Sequence, residues 1–248
     1  MKPIMNRALL SSILIALAML TGCATTAPVG EAKYRLSDFE KPGTDAELDI
    51  SDPLEPLNKS LYRFNYYFDS YFFIPLVDAY QFVIPDYAEQ RIASFFDNIA
   101  DIRNTFNGAL QLKPASTGTS LSRFAINSTV GVFGLWDPAS TWGLQRQDED
   151  FGQTLGHYGV DNGPYLVLPV FGPSNLRDTS GLLVDGWVFS RIDPLNFEKN
   201  DLDTSYYALY AITTRKREPF RYYKSGSPFE YEFIRLLYAA KRQLQVAK

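Results

Sequence analysis

DYAEQRIASFFDNIADIRNTFNGALQLK, residues 86–113, is the stretch that decides the fold class. Ile92, Phe95, Phe96, Ile99, Ile102, Phe106 and Leu110 recur every three or four residues, the spacing of one helix face. Asp86 with Glu89 three residues on reads as a capped start, and Pro114 reads as the stop. A periodic run this long predicts an amphipathic α-helix, and the surrounding chain predicts more of the same.

Upstream, the segment from Asn58 to Phe73 carries Leu57, Leu61, Phe64, Phe68 and Phe72 at helical spacing, while Tyr62, Tyr66, Tyr67 and Tyr71 cover much of the remaining circumference. A helix aromatic all round needs a deep core or a lipid interface. Pro75 and Pro85 interrupt the helical signal. Downstream, Leu121 to Gly134 is helical in period but built from small residues: Ser122, Ala125, Ser128, Gly131 and Gly134. Arg123 and Asn127 lie four apart on one face. That polar pair suits the lining of a wet channel or a solvent-facing edge.

Residues 136–177 are rich in glycine and proline, which impose turns and close backbone approaches. Tyr165 to Leu168 is apolar enough for a short buried strand, and Pro169 forbids a long central one. Helical signals resume from Asn175 through Leu182 to Phe189, again from Asp203 to Arg215, and finally from Ser227 to Val246. Over the last stretch Ser227, Pro228 and Glu230 read as a capping box. The expected fold is all-α with little or no β.

The first residues read differently. Lys2 and Arg7 precede an apolar run from Ala8 to Leu20, and Leu20-Thr21-Gly22-Cys23 follows. A basic start, a short apolar run and small residues at the cut make a secretory signal peptide; the run is too short to span a bilayer. The cysteine at the cut resembles a bacterial lipobox. Residues 1–22 are then the signal, and lipidated Cys23 with residues 23–50 forms a flexible tether rich in Thr, Pro, Gly and acids. Residues 51–248 form one helical domain. N-acyl and diacylglyceryl groups on Cys23 are the expected covalent additions, with no other cofactor and no metal. Ala24 behind the cysteine favours the outer membrane.

Composition narrows the partners. The net charge is −4, and losing Lys2 and Arg7 with the signal makes it −6, which argues against nucleic acid and against a polybasic grip on anionic lipid. Aromatic residues make up 15%, with 18 Phe and 16 Tyr, as suits a thick core or a membrane interface. Catalysis finds little support. Cys23 is the only cysteine and His157 the only histidine, so clustered Cys–His metal sites are excluded and any serine triad would need His157. No Gly-x-Ser-x-Gly elbow and no phosphate-binding glycine loop is present. A lone histidine in a glycine-flanked turn is more often a hydrogen-bonding brace than a base. The acidic run Asp148-Glu149-Asp150 reads as a solvated face or a helix start.

Asp52-Pro53-Leu54-Glu55 through Asn58 resembles the MlaA/VacJ family. So do Gly152-Gln153-Thr154-Leu155-Gly156-His157-Tyr158-Gly159 through Gly163-Pro164-Tyr165, Leu168-Pro169, Gly172-Pro173-Ser174 and Arg177-Asp178. The resemblance covers roughly residues 52–185. It implies a ring of amphipathic helices around a central amphipathic channel, lying in the inner leaflet of the outer membrane and anchored on its periplasmic face. It implies removal of misplaced phospholipid from the outer leaflet, association with a porin trimer, and hand-over to a soluble periplasmic carrier, with no enzyme activity. On that reading the channel residues are Arg123, Asn127, Gly156, His157, Tyr158, Gly159, Gly163, Pro164, Tyr165, Arg177 and Asp178. Phe64, Tyr67, Phe68, Tyr71 and Phe72 are the membrane-interface residues. The alternatives are a structural lipoprotein that scaffolds a porin without carrying lipid and, further off, a lipid hydrolase using His157.

Overall fold

A computed structural model describes residues 50–192 and 203–248 of the chain. The chain divides into two compact units, Met1–Thr44 and Asp45–Lys248, and all described residues belong to the second. The signal peptide, Cys23 and nearly all of the tether therefore lie outside the described residues.

The second unit is mostly helical. Helix α1 (Glu55–Phe68) runs through a π-helical turn at Asp69–Phe73 straight into α2 (Ile74–Val83). Pro75 was expected to interrupt the helix and does not. A proline inside an α-helix removes one bond and strikes the carbonyl four residues back. The wider turn, in which Ile74 N–H reaches Asp69 O five residues back, carries the chain past it. Pro85 does end α2: Ile84 before it is extended (φ −99°, ψ 121°), as pre-proline residues prefer. Helix α3 (Asp86–Leu110) follows. Its N-cap is Pro85, without a side-chain cap, so the expected Asp86–Glu89 box does not form. Glu89 is buried instead and pairs with Lys216.

Helix α3 stops at Leu110, four residues before Pro114, because Leu112 turns into the left-handed region (φ 55°). Pro114 opens the next helix, α4 (Pro114–Thr129), where its missing N–H costs nothing. Beyond Thr129 the expected helix breaks into turns, with Val132, Phe133 and Gly134 all at positive φ. The short α5 (Pro138–Thr141) and α6 (Phe151–His157) are each capped by an aspartate: Asp137 accepts from Ser140 N (3.0 Å) and Asp150 from Gln153 N (2.8 Å). So the acidic run at 148–150 does start a helix, but Glu149 within it is buried and not solvated.

Strands β1 (Tyr165–Leu168) and β2 (Gly172–Asn175) make one antiparallel hairpin, with Tyr165 opposite Asn175 and Leu168 opposite Gly172. Helices α7 (Leu176–Ile192), α8 (Asp203–Arg217) and α9 (Glu230–Ala247) follow among the described residues. Gly181 of α7 lies against the backbone of Gly152 in α6 with no room for a Cβ, so those two helices meet backbone to backbone. The N-cap of α9 is Phe229, without a side-chain cap, in place of the expected Ser227 box. Glu230 instead turns inward and accepts from Tyr62 Oη (2.7 Å) and Ser225 Oγ (2.7 Å). Tyr62, Tyr165, Val167, Tyr231 and Ile234 form a small apolar core between α1, the hairpin and α9.

Candidate functional site

The packing of α1 is inverted. Its buried residues are Asn58, Tyr62 and Asn65, continued by Asp69 in the π-turn; steps of four, three and four keep them on one face. Leu57, Phe64, Tyr67, Tyr71 and Phe72 face outward. Helix α3 also buries a polar line, with Asn98, Asp101, Asn104, Asn107 and, at its C-cap, Gln111. Of its expected apolar stripe, Phe96 and Ile99 are buried, while Ile92, Phe95, Ile102, Phe106 and Leu110 are half-buried. Elsewhere Phe82, Leu112, Phe133, Phe171, Leu183 and Leu244 stand in the open, Phe82 at 91%. Apolar surface costs about 25 cal/mol per Å² in water, and continuous exposed patches mark a membrane or a partner.

Three polar braces fill the interior. In the first, Asn58 and Asn65 use their amides as extra strand partners for the hairpin. Asn58 donates to Tyr165 O (3.0 Å) and accepts from Val167 N (2.9 Å); Asn65 donates to Leu168 O (2.9 Å) and accepts from Val170 N (2.7 Å).

The second brace centres on Arg123 of α4, only 1% exposed. Its Nε donates to Asp101 (3.2 Å), Nη2 to Asp137 (3.0 Å), and Nη1 to Ser140 Oγ (2.8 Å) and Leu144 O (2.6 Å). Asn127 donates to Asp137 (2.9 Å) and accepts from Ala139 N (3.1 Å). Burial pushes the Asp101 carboxyl up to about 6 against the opposing pull of Arg123 and Asn104. Burial also works against Asp137, but Ser140, Arg123 and Asn127 outweigh it and hold that carboxyl down to about 2.

The third brace centres on Arg242 of α9. It grips Asp150 through Nη1 (2.8 Å) and Nη2 (2.9 Å), and Asp178 through Nε (2.8 Å) and Nη2 (2.9 Å). Arg177 Nε (3.0 Å), Tyr238 Oη (2.7 Å) and Asn175 Nδ2 (2.8 Å) also reach Asp178. Between the second and third braces, Asn107 joins Asp185 (2.9 Å) to Thr154 (2.9 Å).

The expected channel residues separate into two groups. Arg123, Asn127, Tyr165, Arg177 and Asp178 are buried in or beside the braces, so Arg123 and Asn127 do not form a solvent-facing edge. Gly156 and Pro164 are half-buried, whereas His157, Tyr158, Gly159 and Gly163 are exposed. Gly159 (φ 84°) and Gly163 (φ 65°) both occupy the left-handed region; a Cβ on Gly159 would meet open space, and one on Gly163 would press on Leu176. Tyr158 Oη donates to Leu110 O (2.6 Å), tying this segment to the end of α3. Among the described residues no serine hydroxyl bonds His157, whose ring packs edge-on to Tyr158, and no group of residues has the make-up of a metal site. At the interface helix Phe64, Tyr67, Tyr71 and Phe72 are exposed and Phe68 half-buried, with Phe64–Phe68 and Tyr67–Tyr71 stacked along it.

Periodicity read for apolar residues missed the braces. The signal that finds them is the repetition of asparagine, a poor helix former, at helical spacing along α1 and α3. Two hollows also escaped. One, of about 240 Å³, lies between α2, α8 and Arg221. The other is a shallow apolar groove on α9 along Leu237, Ala240 and Leu244. Among the described residues no helix is long and apolar enough to cross a membrane.

Comparison with known proteins follows the same lines. An uncharacterized protein of Rickettsia prowazekii is 40% identical over 68% of this chain and 66% of its own length. The intermembrane phospholipid transport system lipoprotein MlaA of Escherichia coli K12 is 34% identical over 72% of this chain and 66% of its own, so the chain spans just under two thirds of these relatives. A solved chain, described under "Structural basis for maintenance of bacterial outer membrane lipid asymmetry", superposes with a TM-score of 0.66 at 29% identity, covering 79% of this chain and 99% of its own. The family model for the MlaA lipoprotein matches residues 50–245, and the chain belongs to that family.

Proposed function

We propose that this protein is a lipid-anchored outer-membrane lipoprotein that takes misplaced phospholipid from the outer leaflet and passes it through an amphipathic channel to a soluble periplasmic carrier. The observation that carries this reading is the inverted packing: buried polar braces behind an outward aromatic and aliphatic surface. Inside hydrocarbon, polar backbone and side-chain groups must be satisfied within the protein, and irregular backbone survives only when buried or lining a wet cavity. Bonds from Asn58, Asn65, Arg123 and Arg242 supply that satisfaction for the hairpin and the glycine-rich segment. A single leaflet is about 15 Å thick, so about ten helical residues cross it and no spanning helix is needed.

Lipid passage breaks no covalent bond. It needs a fixed polar route for the headgroup and an apolar flank for the tails. In this reading Arg123, Asn127, Arg177 and Asp178 hold the frame of the route. The largely exposed run His157–Gly163 and the Val170–Phe171 turn form its rim. Lipidated Cys23 keeps the body at the membrane, and a porin trimer supports it there. The test is transfer of labelled phospholipid from vesicles bearing the lipidated protein to a soluble phospholipid carrier. Transfer that depends on the protein is expected; a protein that binds a porin but moves no lipid would favour the scaffold reading.

A further inference from the structure

The hollow of about 240 Å³ between α2 and α8 has an unusual polar lining. Ile74, Val77, Asp78 and Gln81 are spaced three, four and seven residues apart and present one face of α2 to it. Arg215, Lys216 and Arg221 stand opposite. Two of these cations are already spent. Arg215 donates to Asp69 (2.7 Å), Glu218 O (2.8 Å) and Phe220 O (3.0 Å), and Lys216 pairs with buried Glu89. Arg221 is not spent: Nη1 donates to Glu218 O (2.9 Å) and Phe220 O (2.9 Å), while Nε and Nη2 have no partner among the described residues. Asp78 and Gln81 likewise have no side-chain partner among the described residues, and Asp78 forms no ion pair with Arg221 across the hollow.

One free cation and one free carboxylate thus face a common space without meeting. A purely anionic ligand would be repelled by Asp78, and a purely cationic one by Arg221. A zwitterion satisfies both. The volume is below the roughly 300–1,000 Å³ of sites for drug-sized ligands, so it holds a headgroup and not a whole lipid. Phe82, one turn after Asp78 on the same flank of the helix, is 91% exposed. It gives acyl chains an apolar surface next to the polar hollow.

We propose that the α2–α8 hollow is a headgroup site for zwitterionic phospholipid, with Arg221 taking the phosphate and Asp78 the ammonium. This rests on the lipid-transport reading above and adds a headgroup preference to it.

The mature lipoprotein would be held in nonionic micelles doped equally with phosphatidylethanolamine and phosphatidylglycerol, and its retained lipids measured by native mass spectrometry. The wild type should retain the ethanolamine lipid in excess. Asp78→Asn, at an exposed and unpartnered position, should leave folding unchanged and lower the ethanolamine-to-glycerol ratio about two- to fivefold, the range of an exposed ion pair. Asp78→Lys should invert the preference. An unchanged ratio in both variants would overturn the headgroup site and leave transport standing. A wild type that retains no lipid would remove the transport reading and the site with it. Soluble glycerophosphoethanolamine at matched concentration should not be retained; retention equal to the lipid's would assign the hollow to a free metabolite instead.

Discussion

Arg242 Nε lies 2.8 Å from Asp178 Oδ2 and Arg242 Nη2 lies 2.9 Å from Asp178 Oδ1, a forked contact between residues 64 apart in sequence. The same guanidinium grips Asp150, the cap of α6. One side chain on α9 therefore fixes the start of the glycine-rich segment and the start of α7. Removing it takes the cation from half-buried Asp150 and leaves buried Asp178 paired with Arg177 alone; breaking a buried pair costs about 3–5 kcal/mol. Arg242→Ala should lose about that much in denaturant unfolding. Arg242→Lys cannot fork to both aspartates and should recover only part of the loss.

Two carboxylates contact Arg123, and they respond oppositely to pH. Asp137 is held down to about 2, so its contribution is present above the unfolded value and is lost as pH falls from about 3.8 through 2. Asp101, 0% exposed, is pushed up to about 6. Between about 3.8 and 6 the unfolded chain ionises Asp101 while the folded one resists, so stability declines as pH rises through that window. At about 1.4 kcal/mol per pH unit the decline is about 3 kcal/mol. The Asp101→Asn variant should lack it. Thermal unfolding of both proteins between pH 4 and 6.5 checks this, and parallel curves would contradict it.

Asn58 and Asn65 complete the edge of β1 with side chains. Alanine at Asn58 leaves a buried C=O and a buried N–H unpaired, at about 1–3 kcal/mol for each group; at Asn65 the freed groups are part-buried and the cost is smaller. The local readout is amide exchange. Asn58→Ala should deprotect Val167, and Asn65→Ala should deprotect Val170, each more than amides in α3. Uniform deprotection throughout the unit would mean that the asparagines act on global stability alone.

The helical class was legible in the sequence because periodicity is a local signal. The strand at Tyr165–Leu168 was legible for the same reason; its partner Gly172–Asn175, reading Gly-Pro-Ser-Asn, carries no strand propensity and exists only because β1, α7 and α9 stand beside it. The facing of the helices stays open in the sequence: α1 reads as core or lipid interface, and apolar periodicity passes over the asparagine line of α3. Periodicity states which residues share a face, and burial of the apolar face follows only if the solvent is water. Along α3 the asparagine line went inward. Pro75 misled because a π-turn relieves the clash a proline makes in an α-helix. Both capping boxes failed because Glu89 and Glu230 found tertiary partners, Lys216 and Tyr62, in place of their own helix termini. The braces join residues up to 109 apart, as Asn58 and Val167 show, and no local pattern announces such a pair.

The outward aromatics of α1 should grip lipid without help from the anchor. Tyr71 and Phe72 are exposed and take no part in the apolar core, so replacing both with serine removes lipid-facing area and no buried contact. Vesicle binding by a body lacking residues 1–50 should fall several-fold in that double variant while its unfolding midpoint stays put. Unaltered binding would move the membrane contact to another face.

The glycine-rich rim separates backbone shape from acid–base chemistry. Gly159 and Gly163 hold φ of 84° and 65°, where a β-branched residue is strained by about 1–2 kcal/mol. Gly163 has the added contact of a new Cβ with Leu176 Cβ at 3.2 Å, whereas at Gly159 the space is open and only the backbone is strained. His157 is exposed and has no serine partner among the described residues. Gly163→Val should therefore impair clearance of outer-leaflet lipid most, Gly159→Val less, and His157→Gln least. A backbone effect predicts that order with normal expression and membrane localisation of all three proteins. If His157→Gln abolished clearance while both valine variants cleared lipid normally, the imidazole would be doing chemistry, and a hydrolase would have to be reconsidered.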